Sequence, residues 1–173
     1  MKDSEINSIQ FGDWPMPEEY LVELGRINAI WASLENVINL TLGQISGFDI
    51  HDPRGIIMFE HLSMPQKLDI LGALGDQLSE NHPNLKDLPE SISKIKTAQS
   101  SRNKFIHNAL NYDHISNTLE LPIATARGKL KANVHKISKT DIKRVTVEIS
   151  IAQRHLHRTV FKKEYPHPWE RPV

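Results

Sequence analysis

Apolar side chains recur every three or four residues along four long stretches of the chain, which is the spacing of one face of an α-helix. This periodicity predicts helices over residues 17–46, 64–80, 89–111 and 140–163. A short extra helix is expected near 53–60, in the connector between the first two. Together these elements predict a mainly α protein built as a four-helix bundle.

Residue types at particular positions support these helices and suggest how they pack. Pro17 suits the first position of a helix, because a backbone N–H at that position has no hydrogen-bond partner within the helix and its absence costs nothing. Ser63 and Thr140 carry side-chain oxygens that suit the N-caps of the second and fourth long helices. Gly72 and Gly75 would let another helix approach the second one closely, at a cost of about 1 kcal/mol each in helix propensity.

Between residues 118 and 137 the helical period gives way to alternation of apolar and polar residues, which predicts a β-hairpin. Residues 126–128, Ala-Arg-Gly, are expected to form its turn. Pro122 lacks the N–H that an inner strand would use, and it therefore indicates an edge strand. The alternating apolar positions are Leu119, Leu121 and Ile123, followed by Leu130, Ala132 and Val134.

The pattern divides the chain into a polar arm (1–16), a single helical domain (17–163) and an extended tail (164–173). The chain has 173 residues and no cysteine, so it can bury a sizeable core but offers no disulfide or thiolate metal site. It shows no signal peptide, and no apolar run approaches the about 20 residues needed to span a bilayer. The default expectation is a cytoplasmic protein without a membrane partner.

The net charge of zero hides an asymmetry between the two halves of the chain. Residues 1–90 carry 15 acidic and 5 basic side chains, whereas residues 91–173 carry 6 acidic and 16 basic ones. The second half is therefore the expected face for a polyanion. The alternative is that the two halves attract each other, within the fold or across a dimer.

A charged residue lies in the middle of the apolar face of the third long helix. Viewed down the helix axis, the apolar residues of this face lie within about 60° of one line, and Arg102 lies at the centre of that arc. Asn103 and His107 lie along the edge of the arc. Arginine keeps its proton in a protein, so a buried one needs an anionic partner. That partner could be the carboxylate of Glu35, on the first helix, or a phosphate of a ligand. The apolar members of the arc are Leu88, Ile95, Ala98, Phe105, Ile106 and Ala109.

The segment SRNKFIHN, from Ser101 to Asn108, resembles the signature of the HEPN superfamily (higher eukaryotes and prokaryotes nucleotide-binding domains). That signature places an arginine, then a polar residue such as asparagine, and a histidine a few residues further on, late in a helix of a small bundle. The form here is R-N-x-x-x-H, and the resemblance covers roughly residues 17–163. It implies an HEPN-like four-helix bundle.

The resemblance also implies a function: an endoribonuclease that needs neither metal nor cofactor and acts as a homodimer with a site shared across the interface. Arg102, Asn103 and His107 would be its catalytic residues, since a guanidinium suits phosphate charge and an imidazole suits proton transfer. Single-stranded RNA would be the substrate, in a toxin–antitoxin or phage-defence setting, with an antitoxin protein as a candidate partner. A toxin branch of the family has a tyrosine two residues after the histidine; Ala109 stands there in this chain, which argues against regulation through such a tyrosine.

Other residues are expected to contact RNA, and two other functions stay open. A basic hairpin could follow a phosphate backbone, although lysines there also discourage pairing between sheet edges. One alternative is a module that binds a nucleotide or RNA without cleaving it. The other is an interaction scaffold in which Arg102 pairs with Glu35. The expected RNA contacts are Ser101, Lys104, Asn108, Tyr112, Arg127, Lys129 and Lys131.

Overall fold

Helices make up most of the structure. A computed structural model describes residues 2–9, 12, 14–49, 52–125 and 131–171. Over these residues a mainly α architecture with a small antiparallel sheet is confirmed, and the HEPN-like form of the bundle stays a prediction. None of the described helices is both long and apolar enough to cross a membrane. The elements are α1 (Asp3–Asn7), α2 (Glu18–Ile45), α3 (Pro53–Phe59), α4 (Met64–Leu78), α5 (Leu88–Ile106), β1 (Asn111–Asp113), β2 (Thr118–Thr125), β3 (Lys131–Ile137) and α6 (Lys139–Phe161), with 3₁₀ turns at Pro83–Asp87 and Pro168–Glu170.

Helix α2 is the central element, because α3, α4, α5 and α6 all contact it. Its apolar stripe supplies Ile27, Leu34, Ile38 and Leu42, whose exposed fraction is 0%. Burying a side chain of this size contributes about 1.5–3 kcal/mol relative to leaving it in water. Helix α6 packs along both α2 and α5 and so links these two helices.

The third long helix ends earlier than its periodicity predicts. It was expected to reach residue 111, but α5 ends at Ile106 and His107 is its C-cap. Two contacts explain the difference. The side-chain amide of Asn108 donates to the carbonyl of Lys104 at 3.0 Å, which satisfies a carbonyl of the last turn. Residues 111–113 then pair with β2, and this pairing replaces the helical hydrogen bonds.

The arm and the tail also contain more structure than expected. The arm 1–16 holds α1, none of whose residues is buried. The backbone N–H of Lys2 donates to the Glu5 carboxylate at 2.8 Å, a contact that stabilises a single turn. The tail 164–173, expected to be extended, turns at Pro168–Glu170, where the Glu170 carboxylate accepts from the backbone N–H of His167 at 3.0 Å.

One of the two predicted N-caps is confirmed. The backbone N–H of Ser63 donates to the side-chain oxygen of Gln66 at 2.9 Å at the start of α4. At α6 the cap is Ser138 instead of Thr140: its hydroxyl accepts from the backbone N–H of Asp141 at 3.2 Å, and the Asp141 carboxylate accepts from the Ser138 backbone at 2.9 Å. The Ser138 hydrogen bonds also hold the pKa of Asp141 below its usual value.

The predicted β-hairpin is confirmed as the antiparallel pair β2–β3, with Leu121 opposite His135. Its expected turn at 126–128 lies outside the described residues. Strand β1 was not predicted, and it places β2 in the middle of a three-stranded sheet. The register nevertheless leaves Pro122 on an edge of that sheet. Strand β1 pairs with residues 118–120 alone, so at Pro122 the described sheet has β3 as the one neighbour of β2.

The two glycines of α4 are predicted to respond oppositely to alanine. A Cβ at Gly75 would lie 2.6 Å from Cδ1 of the buried Leu88, whereas one at Gly72 would lie 3.5 Å from Cδ1 of Ile92, an ordinary contact. Both substitutions favour the helix, so Gly72→Ala should raise the free energy of unfolding by about 0.5–1 kcal/mol. Gly75→Ala adds overpacking and should be less stable than Gly72→Ala by about 1–3 kcal/mol.

Urea denaturation followed by circular dichroism measures this difference, and each variant is the other's control. Equal stability of the two variants would contradict close packing of α4 on Leu88.

Candidate active site at the end of helix α5

The last turn of α5 brings together the three residues that the sequence singles out. Nη1 of Arg102 lies 3.2 Å from the side-chain oxygen of Asn103 and 3.2 Å from Nε2 of His107. Arg102 and Asn103 are partly buried, whereas His107 is exposed beyond the end of the helix. The early end of α5 therefore does not separate the imidazole from the guanidinium, since the two side chains lie within hydrogen-bond distance.

The contact between Arg102 and His107 has only one possible donor. A guanidinium carries donors only, so Nη1 donates and Nε2 of His107 must accept. The tautomer that fits is the neutral one with its proton on Nδ1. The lone pair of Nε2 is thus directed at the guanidinium beside it.

The guanidinium of Arg102 lies over an aromatic ring on the neighbouring helix. Its Cζ is 5.4 Å from the ring centre of Trp31, which is 5% exposed and belongs to the core stripe of α2. Stacking on an indole face stabilises a cation without neutralising it. Nε of Arg102 is buried and, within the described residues, has no hydrogen-bond partner.

No carboxylate in the described part of the chain forms an ion pair with Arg102. Glu35, the partner that the sequence offered, is partly buried on α2 but is not brought to the guanidinium. The partners of Arg102 are therefore a carboxamide, an imidazole and an indole ring, and its positive charge is left without a carboxylate counter-ion among these residues.

The other expected RNA contacts fall into three groups. Ser101 and Lys104 line a groove of about 430 Å³ that α5 forms with the hairpin and α6, and its charged lining also includes Lys136, Arg144, Asp141 and Glu148. Asn108 and Tyr112 have structural partners instead: Asn108 caps α5, and the Tyr112 hydroxyl donates to the side chain of Asn117. Arg127 and Lys129 lie outside the described residues, and of Lys131 only the backbone is described.

A second cluster, between α5 and α6, was not found from the sequence. Nδ1 of His155 lies 2.8 Å from the hydroxyl of Ser91, and Nε2 lies 3.4 Å from Oε1 of Glu90. A serine, a histidine and a carboxylate in this order resemble the catalytic triad of a serine hydrolase, but Ser91 is 0% exposed and cannot contact a substrate. Ser91 and His155 are 64 positions apart, so no local pattern could have paired them.

A family assignment would have to come from relatedness to known proteins. No protein-family model, curated protein or solved structure matches this chain.

Proposed function

We propose that the protein is a metal-independent endoribonuclease whose site is completed by a second copy of the chain. The observation that supports this most is the charge of Arg102, which no carboxylate of the described residues pairs with and which contacts Nε2 of His107. A cation that the fold keeps partly buried without a counter-ion favours an anionic ligand. The adjacent base and carboxamide favour a phosphodiester that is to be cleaved.

The reaction uses the nucleophile that RNA carries. A phosphate beside Arg102 takes the donors of the guanidinium, and this frees the lone pair of Nε2 of His107. Nε2 removes the proton of the 2′-hydroxyl, and the 2′-oxygen forms a bond to phosphorus as the bond to the 5′-oxygen breaks. The guanidinium stabilises the charge that develops on the phosphorane oxygens, and Asn103 orients the site without adding charge.

The departing 5′-oxygen also needs a proton. The His107 that acts as the base cannot be the acid in the same step. A two-fold interface at the end of α5 would bring a second His107 to the cleft, and its imidazolium would serve as the acid. His107 is exposed at that end of the helix, so a second copy can reach it. The products are a 2′,3′-cyclic phosphate and a 5′-hydroxyl, as expected for a nuclease in toxin or defence systems.

The test is to incubate the purified protein with labelled single-stranded RNA, with and without EDTA. We expect cleavage in both conditions, products that end in a cyclic phosphate, and a solution mass about twice the 19.8 kDa of one chain. Cleavage that EDTA abolishes, or an active particle with the mass of one chain, would contradict the proposal.

A second candidate is a module that binds RNA or a nucleotide without cleaving it. The observation in its favour is that Nε2 of His107, the atom needed as base, is already engaged by Arg102. If that bond persists when RNA is bound, the site holds phosphate and leaves the 2′-hydroxyl intact. In the same incubation this function appears as labelled RNA that is retained by the protein at full length.

A further inference from the structure

A polar cleft of about 390 Å³ lies between the first half of α5, the second half of α6 and the tail. It is separate from the groove lined by Ser101 and Lys104, and the two share no lining residue. Its charged and titratable lining comprises Glu90 and Lys94 from α5, Arg154, His155 and Arg158 from α6, and Glu164 and His167 from the tail.

The carboxylate of Glu164 occupies the position that an anionic ligand of this cleft would take. One oxygen lies 3.6 Å from Nη2 of Arg154 and the other 3.9 Å from Nη1 of Arg158. Arg154 and Arg158 are four residues apart on α6 and so lie on one face of the helix. Glu164 thus bridges two guanidinium groups that converge on one point.

The charged groups on the opposite wall of the cleft already pair with one another. Nζ of Lys94 lies 3.1 Å from Oε1 of Glu90, and Nε2 of His155 lies 3.4 Å from the same oxygen. The hydrogen bond from Lys94, and then the charge of His155, hold the pKa of Glu90 below its usual value. The imidazole of His155 is 11% exposed and fixed by Ser91, so this wall is preformed.

The contacts of Glu164 with the two arginines are loose. Both distances exceed 3.5 Å, and the Glu164 side chain is 67% exposed. Ion pairs of this kind contribute little, because water screens them and two long side chains must be ordered to form them. A phosphate dianion carries about twice the charge of a carboxylate and three acceptor oxygens, and it pairs with guanidinium groups through short hydrogen bonds.

The tail does not depend on Glu164 for its position. The ring of Tyr165 packs on His157 with centres 4.8 Å apart, and Arg171 lies over Tyr165 at 4.4 Å. Nδ1 of His167 lies 2.6 Å from the hydroxyl of Ser150, on α6. Glu164 can therefore leave the arginines while the rest of the tail stays on α6.

We propose that this cleft binds a phosphate dianion between Arg154 and Arg158, and that the Glu164 carboxylate is an internal competitor which the ligand displaces. The dianion is either free phosphate or the terminal phosphate of a nucleotide. The site does not rest on the proposed nuclease activity, since none of its residues belongs to the last turn of α5.

Isothermal titration of the full chain at pH 8 with inorganic phosphate, with AMP and with adenosine tests this. Removing the competitor in Glu164→Gln should tighten binding roughly fivefold, the upper range for an exposed ion pair. Phosphate and AMP should bind and adenosine should not; AMP binding more tightly than phosphate would identify a nucleotide as the ligand, and equal binding would identify free phosphate. Glu80→Gln, which removes an exposed carboxylate outside the cleft, should leave the affinity unchanged.

A second variant keeps the test decisive. Arg158→Ala in the Glu164→Gln background removes one of the two guanidinium groups at an exposed position and should abolish saturable binding without altering the circular dichroism spectrum. No saturable binding of phosphate or AMP to Glu164→Gln would overturn the proposal. Binding that survives Arg158→Ala would overturn it as well.

Discussion

His107→Ala is expected to abolish RNA cleavage while the fold and the solution mass stay the same. General base or acid catalysis contributes about 10²- to 10⁴-fold to rate, and in the proposed dimer the substitution removes both groups at once. The fold should tolerate the change, because the side chain is exposed and the cap uses the backbone N–H of His107, which donates to the carbonyl of Asn103 at 3.2 Å. The measurement is the single-turnover rate on labelled single-stranded RNA.

The matched control is His114→Ala, at an exposed histidine seven positions further along the chain that packs on the edge of Tyr112. It should cleave RNA at the wild-type rate. If His107→Ala keeps that rate, the imidazole takes no part in the chemistry, and RNA that remains bound at full length would then favour the binding function.

The repeating patterns of the sequence predicted the parts of the fold that depend on them. The stripe of α2, from Ile27 to Leu42, is spaced as a buried helix face must be, and the structure buries it completely. The same periodicity overran the end of α5, because Ala109 was counted as apolar although it is exposed. Periodicity reports burial and carries no information about a competing strand as short as β1, whose pairing with β2 takes the chain away from the helix.

The candidate site was predictable as a set of residues and unpredictable as a set of contacts. An arginine on an apolar face, followed by asparagine and histidine, is visible in the sequence alone. Which group meets the guanidinium depends on the angle between α5 and α2, which places Trp31, not Glu35, beside Arg102. The cleft between α5, α6 and the tail has no local signature, because its residues come from positions 90 to 167.

Arg102→Met is expected to eliminate activity without weakening the fold. Methionine has a similar reach, packs well against an aromatic ring such as Trp31, and removes a partly buried charge that has no described counter-ion. The free energy of unfolding should therefore stay the same or rise by about 1 kcal/mol, which corresponds to about 2–4 °C in melting temperature for a chain of this length. The rate of RNA cleavage should fall by about 10²- to 10³-fold, as when one group that stabilises a transition-state charge is removed.

Lys104→Met provides the comparison, since Lys104 is an exposed cation on the same turn of α5. It should weaken RNA binding through one lost phosphate contact, and it should leave the rate at which bound RNA is cleaved unchanged. Thermal unfolding and single-turnover rates of the two variants separate the two roles of Arg102. A decrease of several kcal/mol in the free energy of unfolding of Arg102→Met would show that the arginine stabilises the fold. A stable but inactive variant would show instead that the fold tolerates this charge in order to bind and cleave RNA.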